Sequence, residues 1–158
     1  MITPQSFHLS RSLAKFRRQQ RYAITVDQAF EQVVSGCAAP RPNQNGTWIL
    51  PSMHKAFTEL HRMGAARSVE VWSEENLVGG LFGIKIGRAA FGESMFSLRP
   101  NASKLALAAI LLDQAWGPVD FLDTQFTTEH LLRMGAEEWS RAAFLRALEK
   151  AINEQTES

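Results

Sequence analysis

Residues 67–86 carry the pattern that most restricts the fold. Two runs rich in β-branched and apolar residues, 67–73 and 77–86, are separated only by Glu74-Glu75-Asn76, so they read as two strands joined by a turn. A third short strand is expected near 89–92. The periodic segments on either side are helical, so a strand cluster in mid-chain has helices before and after it to cover it. That arrangement is a mixed α/β (α+β) layer fold.

The other elements follow from local signals. Residues 5–9 read as a short strand, and Ser10 as the cap of a basic helix over 11–19. Residues 22–26 alternate as a strand, and Asp27 is a good N-cap. Phe30, Val33, Val34 and Cys37 then recur at helical spacing. Residues 38–47 are polar and hold prolines and a glycine, so a loop is expected there. A helix starting at Ser52 places Met53, Ala56, Phe57 and Leu60 on one side. Residues 94–100 read as irregular. Asn101 is expected to cap the longest helix, with Leu105, Ala108, Ala109, Leu112 and Trp116 inward and Gly117-Pro118 ending it. A buried strand over 119–123, a short helix over 128–134 ending at Gly135, and a last helix from Ser140 with Phe144, Leu148 and Ile152 inward complete the chain. The expected organisation is one domain over 1–153 with a polar tail over 154–158.

With 158 residues the chain is long enough to bury a proper core. A net charge of +1 indicates no partner class by itself. One cysteine, Cys37, excludes an internal disulfide and fits a reducing compartment. There is no N-terminal apolar run of the signal-peptide kind and no stretch of about 18 apolar residues, so a cytoplasmic protein with no membrane partner is expected.

Two stretches break the apolar pattern of core strands: Gly92-Glu93-Ser94-Met95-Phe96-Ser97 and Phe121-Leu122-Asp123-Thr124-Gln125. A carboxylate or amide among apolar neighbours is costly unless paired. Glu93, Asp123 and Gln125 therefore mark either a site or a satisfied core network.

Those stretches belong to a longer pattern. His8-Leu9-Ser10-Arg11-Ser12-Leu13, Gly46-Thr47-Trp48-Ile49, Ser68-Val69-Glu70-Val71-Trp72 and Leu77-Val78-Gly79-Gly80-Leu81 precede them. Asn101-Ala102-Ser103-Lys104 and Leu132-Arg133-Met134-Gly135-Ala136 complete the series. In order and spacing this resembles the bacterial leucyl/phenylalanyl-tRNA–protein transferases over nearly all 158 residues. The resemblance implies an acetyltransferase-like (GNAT-like) fold. It also implies an aminoacyltransferase that moves Leu, Phe or a similar residue from aminoacyl-tRNA to the α-amine of a protein or peptide beginning with Arg or Lys, marking it for degradation. The family usually carries a smaller N-terminal domain with a Trp-Ser-Pro segment, and this chain starts where that domain would end. Three local departures stand out: Ala90-Phe91 replaces an aromatic pair, Gly64-Ala65-Ala66-Arg67-Ser68 replaces a His-rich segment, and Glu138-Trp139-Ser140 replaces a more usual Glu-Ile-Pro.

Aminoacyl transfer from an activated ester requires no metal or nucleotide cofactor at this step. The acceptor amine, with a reference pKa near ~8, must be neutral to attack. The enzyme must align amine and ester, take a proton and stabilise the oxyanion. The resemblance places that chemistry at Asp123, Gln125 and Glu93. Asp123 and Gln125 lie two apart on an expected strand and so share a face. Asp123 orients Gln125 or the amine, or merely caps the next turn. Gln125 both accepts and donates, and Glu93 completes the network or attracts a cationic acceptor residue. Which of the three takes the proton stays open. By motif position the apolar amino-acid pocket includes Leu81, Met95 and Ile110, with Phe96 nearby and Ser94 and Thr128 in the matched segments; each is also an ordinary core candidate.

Arg11, Lys15, Arg17, Arg18 and Arg21 lie within eleven residues, interleaved with Phe16 and Tyr22, and suit tRNA phosphates or a merely solvated face. Trp48, in a polar loop, is placed to stack on the terminal adenine. Arg133, Arg141, Arg146 and Lys150 form a weaker surface cluster. Other chemistries fit less well. Ser94 with His130 and Asp123 lacks the Gly-x-Ser-x-Gly context of a hydrolase elbow. His54 and His61 share a helix face without further ligands, so no metal is expected. Gly79, Gly80, Gly83 and Gly87 lie in a strand rather than before a helix. Pro100-Asn101-Ala102-Ser103-Lys104 supplies no Gly-rich pyrophosphate loop, which disfavours an acyl-CoA donor. Remaining rivals are transfer to a small-molecule or peptide amine, and a non-catalytic tRNA- or degron-binding homologue.

Overall fold

The computed structural model describes residues 1–40, 46–125 and 127–154. Part of the expected 38–47 loop and nearly all of the expected C-terminal tail lie outside the described residues. In chain order the elements are α1 (Arg11–Arg18), β1 (Ala23–Val26), α2 (Phe30–Ala38), α3 (Pro51–Arg62), β2 (Ala66–Ser73), β3 (Asn76–Ile86), β4 (Ala89–Ser97), α4 (Ala102–Leu111), β5 (Phe121–Asp123), α5 (Glu129–Arg133) and α6 (Arg141–Asn153).

The strands form one sheet in the order β1-β2-β3-β4-β5. The first four pair antiparallel in sequence, because each connection except that of β1 to β2 is a tight turn. β5 returns after α4 and pairs parallel to β4, as a helical crossover requires. Strand alternation then divides the core. Val69, Val71 and Leu81 face α4, with Ala106, Leu107 and Ile110 against them. Ala66, Phe82 and Phe96 face the other way, onto Phe30, Val33 and Val34 of α2 and Phe57 of α3. This is a helix–sheet–helix layer fold, with α6 closing the β4–β5 end through Ala151, Phe144 and Leu148.

Several local expectations are corrected. Residues 5–9 form no strand; instead Ile2 bridges Leu122, each donating its N–H to the other's carbonyl at 2.9 and 2.8 Å. The segment reaches that place because Gly135, at φ 100°, packs on the Ser6 carbonyl where a Cβ would collide. Asp27 does not cap α2. Its carboxylate accepts from Arg67 Nε (2.5 Å) and the Ser68 N–H (2.9 Å), tying the β1–α2 connection to β2. β4 does not stop at 92 but runs to Ser97. Asn101 sits at the N-cap of α4 without a side-chain cap bond, and α4, with ten residues, is shorter than α3 and α6. The helix ends at Leu111 because Gln114 turns left-handed (φ 53°). Trp116 lies beyond it, buried, donating its indole N–H to the Ser68 carbonyl. On α6 the inward position is Ala151, and Ile152 is exposed. The Ser10, Thr128 and Ser140 hydroxyls do accept from the N–H three residues on, capping α1, α5 and α6.

Candidate active site

β4 and β5 pair over only three residues, Ala89 with Phe121, Ala90 with Leu122 and Phe91 with Asp123. Beyond them the strands part, and a cavity of about 460 Å³ opens between residues 92–95 and Thr124. Its walls come from three directions. α2 and the loop before α3 supply Cys37, Ala39, Thr47 and Trp48; the sheet supplies Leu81, Met95 and Leu122; α4 and α5 supply Leu107 and Leu131. The interior is largely aliphatic; its polar side chains are Thr47 and Thr128 on the flanking segments and Glu93, Ser94 and Thr124 at the strand ends.

Two backbone irregularities bring those polar groups together. The β3–β4 register shifts between Phe82 and Gly83, so that Phe82 faces Ser94 and Gly83 faces Gly92. Glu93 is the extra residue, a β-bulge that frees it from the ladder and aims it into the opening. On the other side β5 ends at Asp123, and Gln125 takes a left-handed conformation, φ 61°. Asp123 holds that turn: its Oδ1 accepts the Gln125 backbone N–H at 2.7 Å. Asp123 and Gln125 are thus joined by a turn rather than by strand alternation. The Gln125 amide reaches across to donate to the Glu93 carboxyl.

Burial raises the Glu93 pKa above its ordinary value of 4.5. The Gln125 hydrogen bond pulls it partly back, and the nearby Asp123 charge pushes it up again. Glu93 is therefore a more basic carboxylate than a surface one, placed at the polar end of an apolar cavity.

Of the pocket residues expected from sequence, Trp48, Leu81, Ser94 and Met95 line the cavity, as does Thr128 at its α5 edge. Phe96 does not. Strand alternation turns it to the opposite face, where its ring lies over Gly36 so closely that a Cβ there would come within 2.6 Å. Ile110 is buried one turn further along α4, and Leu107 takes its place in the wall. Sequence reasoning missed Cys37, Leu107, Leu122, Thr124 and Leu131. The available signal was the uninterrupted apolar run 105–112, which marks a helix buried on all sides.

The basic residues gather elsewhere. Arg17, Arg18 and Arg21 line a second, larger concavity of about 680 Å³ between α1, β1 and α4, together with Phe16, Tyr22, Leu105 and Asp113. Arg17 pairs with Asp113, and Arg21 lies 5.8 Å from the Phe16 ring centroid. Arg11 and Lys15 are exposed on α1 outside this concavity. His54 and His61 are occupied within the fold. His54 Nε2 meets the Ser35 hydroxyl at 3.3 Å, and His61 stacks on Phe30 with Nδ1 2.9 Å from the Ala66 carbonyl. Among the described residues no three His, Cys, Asp or Glu side chains cluster as a metal site would require, and no helix is long and apolar enough to cross a membrane.

The model of the leucyl/phenylalanyl-tRNA protein transferase family matches residues 1–149. The chain belongs to that family. Among similar relatives, the leucyl/phenylalanyl-tRNA–protein transferase of Ectopseudomonas mendocina is 49% identical over 154 residues, covering 97% of this chain and 68% of the relative. The enzyme of that name from Pseudomonas syringae pv. syringae is 46% identical, covering 100% of this chain and 69% of the relative. The chain thus spans about two thirds of the length of these transferases. An aminoglycoside acetyltransferase from an uncultured soil metagenomic sample, solved with sisomicin, superposes with a TM-score of 0.53. It is 15% identical and covers 77% of this chain and 93% of that one. That likeness shows the GNAT fold alone. The cavity lies where the two parallel strands part.

Proposed function

We propose that this chain transfers a leucyl or phenylalanyl group from tRNA to the N-terminal α-amine of a protein, with the cavity holding the donor's amino-acid side chain. The observation that carries this reading is Glu93 in the lining of an aliphatic cavity that opens between parting strands, hydrogen-bonded by Gln125, whose backbone Asp123 holds.

An ester-linked Leu or Phe side chain fills the cavity against Leu81, Met95, Leu107, Leu122 and Leu131, which leaves its carbonyl at the polar end. Met95 accommodates both branched and planar shapes because its side chain is adaptable. The exposed ring of Trp48 offers a stacking face at the rim. The neutral acceptor amine attacks the ester carbonyl. A C–N bond forms, the C–O bond to the ribose breaks, and the ribose oxygen leaves with a proton. Glu93, made more basic by burial, takes the amine's proton and hands it to the departing ribose oxygen. Gln125 is the positioning group: it donates to Glu93 through its amide and offers its carbonyl to the amine. Asp123 acts through Gln125, by holding the left-handed turn.

A transfer assay tests this. Leu-tRNA and Phe-tRNA with labelled amino acids are offered a peptide beginning with Arg and its N-acetylated control. Label is expected on the free-amine peptide only. Asp123→Ala releases the Gln125 turn and lowers kcat about 100-fold or more, the scale of a misplaced reactive group. Asp123→Asn keeps an acceptor oxygen for the Gln125 N–H and retains much more activity than Asp123→Ala. Equal loss in both variants would show that the Asp123 charge, not the turn, is what matters.

A further inference from the structure

The exposed Trp48 ring stands in the cavity wall on the side of α2 and α3. Its backbone is tied to the start of α3. The Thr47 hydroxyl accepts the Ile49 N–H at 3.1 Å, and the Trp48 carbonyl accepts the Leu50 N–H at 3.1 Å, one residue before Pro51 opens the helix. α3 itself has no buried residue. Its two histidines and the half-buried Phe57 and Leu60 seat it on the α2 side of the core. Phe57 stands between the cavity wall and the sheet. Its ring lies 6.3 Å from that of Trp48 and 5.0 Å from that of Phe82, centroid to centroid, with interplanar angles of 86° and 72°. Both are edge-to-face pairs, the geometry that ring quadrupoles favour. Phe82 is fully buried and is braced in turn by Phe30, 5.9 Å away between centroids. Phe82 is also where the β3–β4 register slips: it faces Ser94, next to the extra residue Glu93. One buried residue is thus joined through its backbone to the bulge that carries Glu93 and through its ring to the stack that ends in Trp48.

We infer that Phe57 is a positioning residue for the donor: braced on Phe82, it holds the Trp48 ring at a set separation from Glu93, so that a purine stacked on the ring brings its ester carbonyl within reach of the Glu93 carboxylate. An exposed Trp side chain turns about two torsions and keeps that freedom unless a neighbour removes it. Phe57 is that neighbour. The donor bridges base and carbonyl through one ribose, a short and stiff link. A ring that swings still stacks on the base but leaves the ester out of line with the acceptor amine, and alignment is what such a transfer depends on. The base wall and the proton acceptor are therefore spaced by the same stack of rings.

This inference rests on the donor reading above, with the terminal base against Trp48, and the test separates the two. Two donors are compared, phenylalanyl-adenosine and the phenylalanyl ester of abasic ribose, each with an Arg-starting peptide. In the wild type the adenosine donor has the higher kcat/KM. Trp48→Ala cuts that advantage about tenfold or more, the scale of a lost base–aromatic stack. Phe57→Leu keeps apolar volume against Phe82 but removes the ring edge. It cuts the same advantage about fivefold, the scale of one edge-to-face pair, and the loss falls on the adenosine donor. Phe57→Tyr keeps the ring and most of the advantage. In the Trp48→Ala background Phe57→Leu changes the advantage no further, because its effect runs through the ring already removed. An equal loss on the two donors in Phe57→Leu overturns the inference, since Phe57 then serves the fold alone. So does a Phe57→Leu effect of the same size with and without Trp48, or a wild type that gains nothing from the base. If the wild type uses neither donor, the donor reading falls, and the positioning role with it.

Discussion

At Glu93 the proton affinity that the proposed transfer uses works against the fold. Burial holds its pKa above the ordinary 4.5, so the folded chain binds this proton more tightly than the unfolded chain does. Such a group stabilises the fold below its unfolded pKa, and that contribution is lost as pH rises through the folded value. At pH 7 the ionised carboxylate is therefore a net liability to stability. Glu93→Gln removes the proton acceptor while keeping the shape, so transfer is expected to fall about 100-fold or more, from the lower end of the range for a general base upward. The same variant melts higher than the wild type at pH 7, and the difference shrinks toward pH 4. A lower Tm at pH 7 would mean that the Gln125 bond outweighs burial. The identities of Glu93, Asp123 and Gln125 are legible in sequence because polar residues interrupt apolar strands. Their meeting is not: it needs a one-residue bulge and a left-handed Gln, and hydrophobic periodicity does not tell such a bulge from the end of a strand.

At the scale of elements, the cavity depends on where α2 ends, since Cys37 and Ala39 form part of its wall. α2 starts at a position with no side-chain cap of its own. Its entry is held from the sheet instead. Glu70 of β2, fully buried, accepts from the Gln28 N–H at 3.3 Å and from the Thr25 and Ser68 hydroxyls at 2.5 Å each. Trp72 Nε1 donates on to Thr25 at 2.8 Å. Glu70→Ala strands these donors, the buried Ser68 hydroxyl above all, and is expected to destabilise by about 3 kcal/mol in urea unfolding. Glu70→Gln, which keeps one acceptor oxygen, costs less than half as much. A loss below about 1 kcal/mol for Glu70→Ala would show that water or neighbours re-satisfy the donors. From sequence Asp27 looked like the cap because it precedes an apolar helical face; tertiary pairing with Arg67 and the Ser68 N–H draws it away. The sequence pattern makes β4 look too short for a related reason. Glu93 and Ser94 break the alternation, although the strand continues through the bulge to Ser97.

Across the whole molecule, the strand–strand–strand centre and the flanking helices were readable because hairpin turns and helical periodicity are local. The N-terminal segment was not. Ile2 pairs with Leu122, and Gly135 seats Ser6, contacts between residues more than a hundred positions apart that no local pattern encodes. The same long-range closure makes the cavity: its lining runs from Cys37 to Leu131, through most of the elements of the fold. A non-hydrolysable phenylalanyl-adenosine amide is expected to raise Tm by several degrees at saturation, while an aspartyl analogue leaves it unmoved. No shift with the phenylalanyl compound would remove the cavity from the donor site.

The parting of β4 from β5 also has a thermodynamic meaning. A space bounded by so many separate stretches of chain exists in the native state and nowhere in the unfolded one. Whatever fills it acts as a folding ligand, worth about 2.7 kcal/mol at a hundred times its Kd. With the donor seated there as proposed, charged tRNA is both a substrate and a reservoir of stability for this chain, and the chain's resistance to unfolding rises and falls with the supply of that donor.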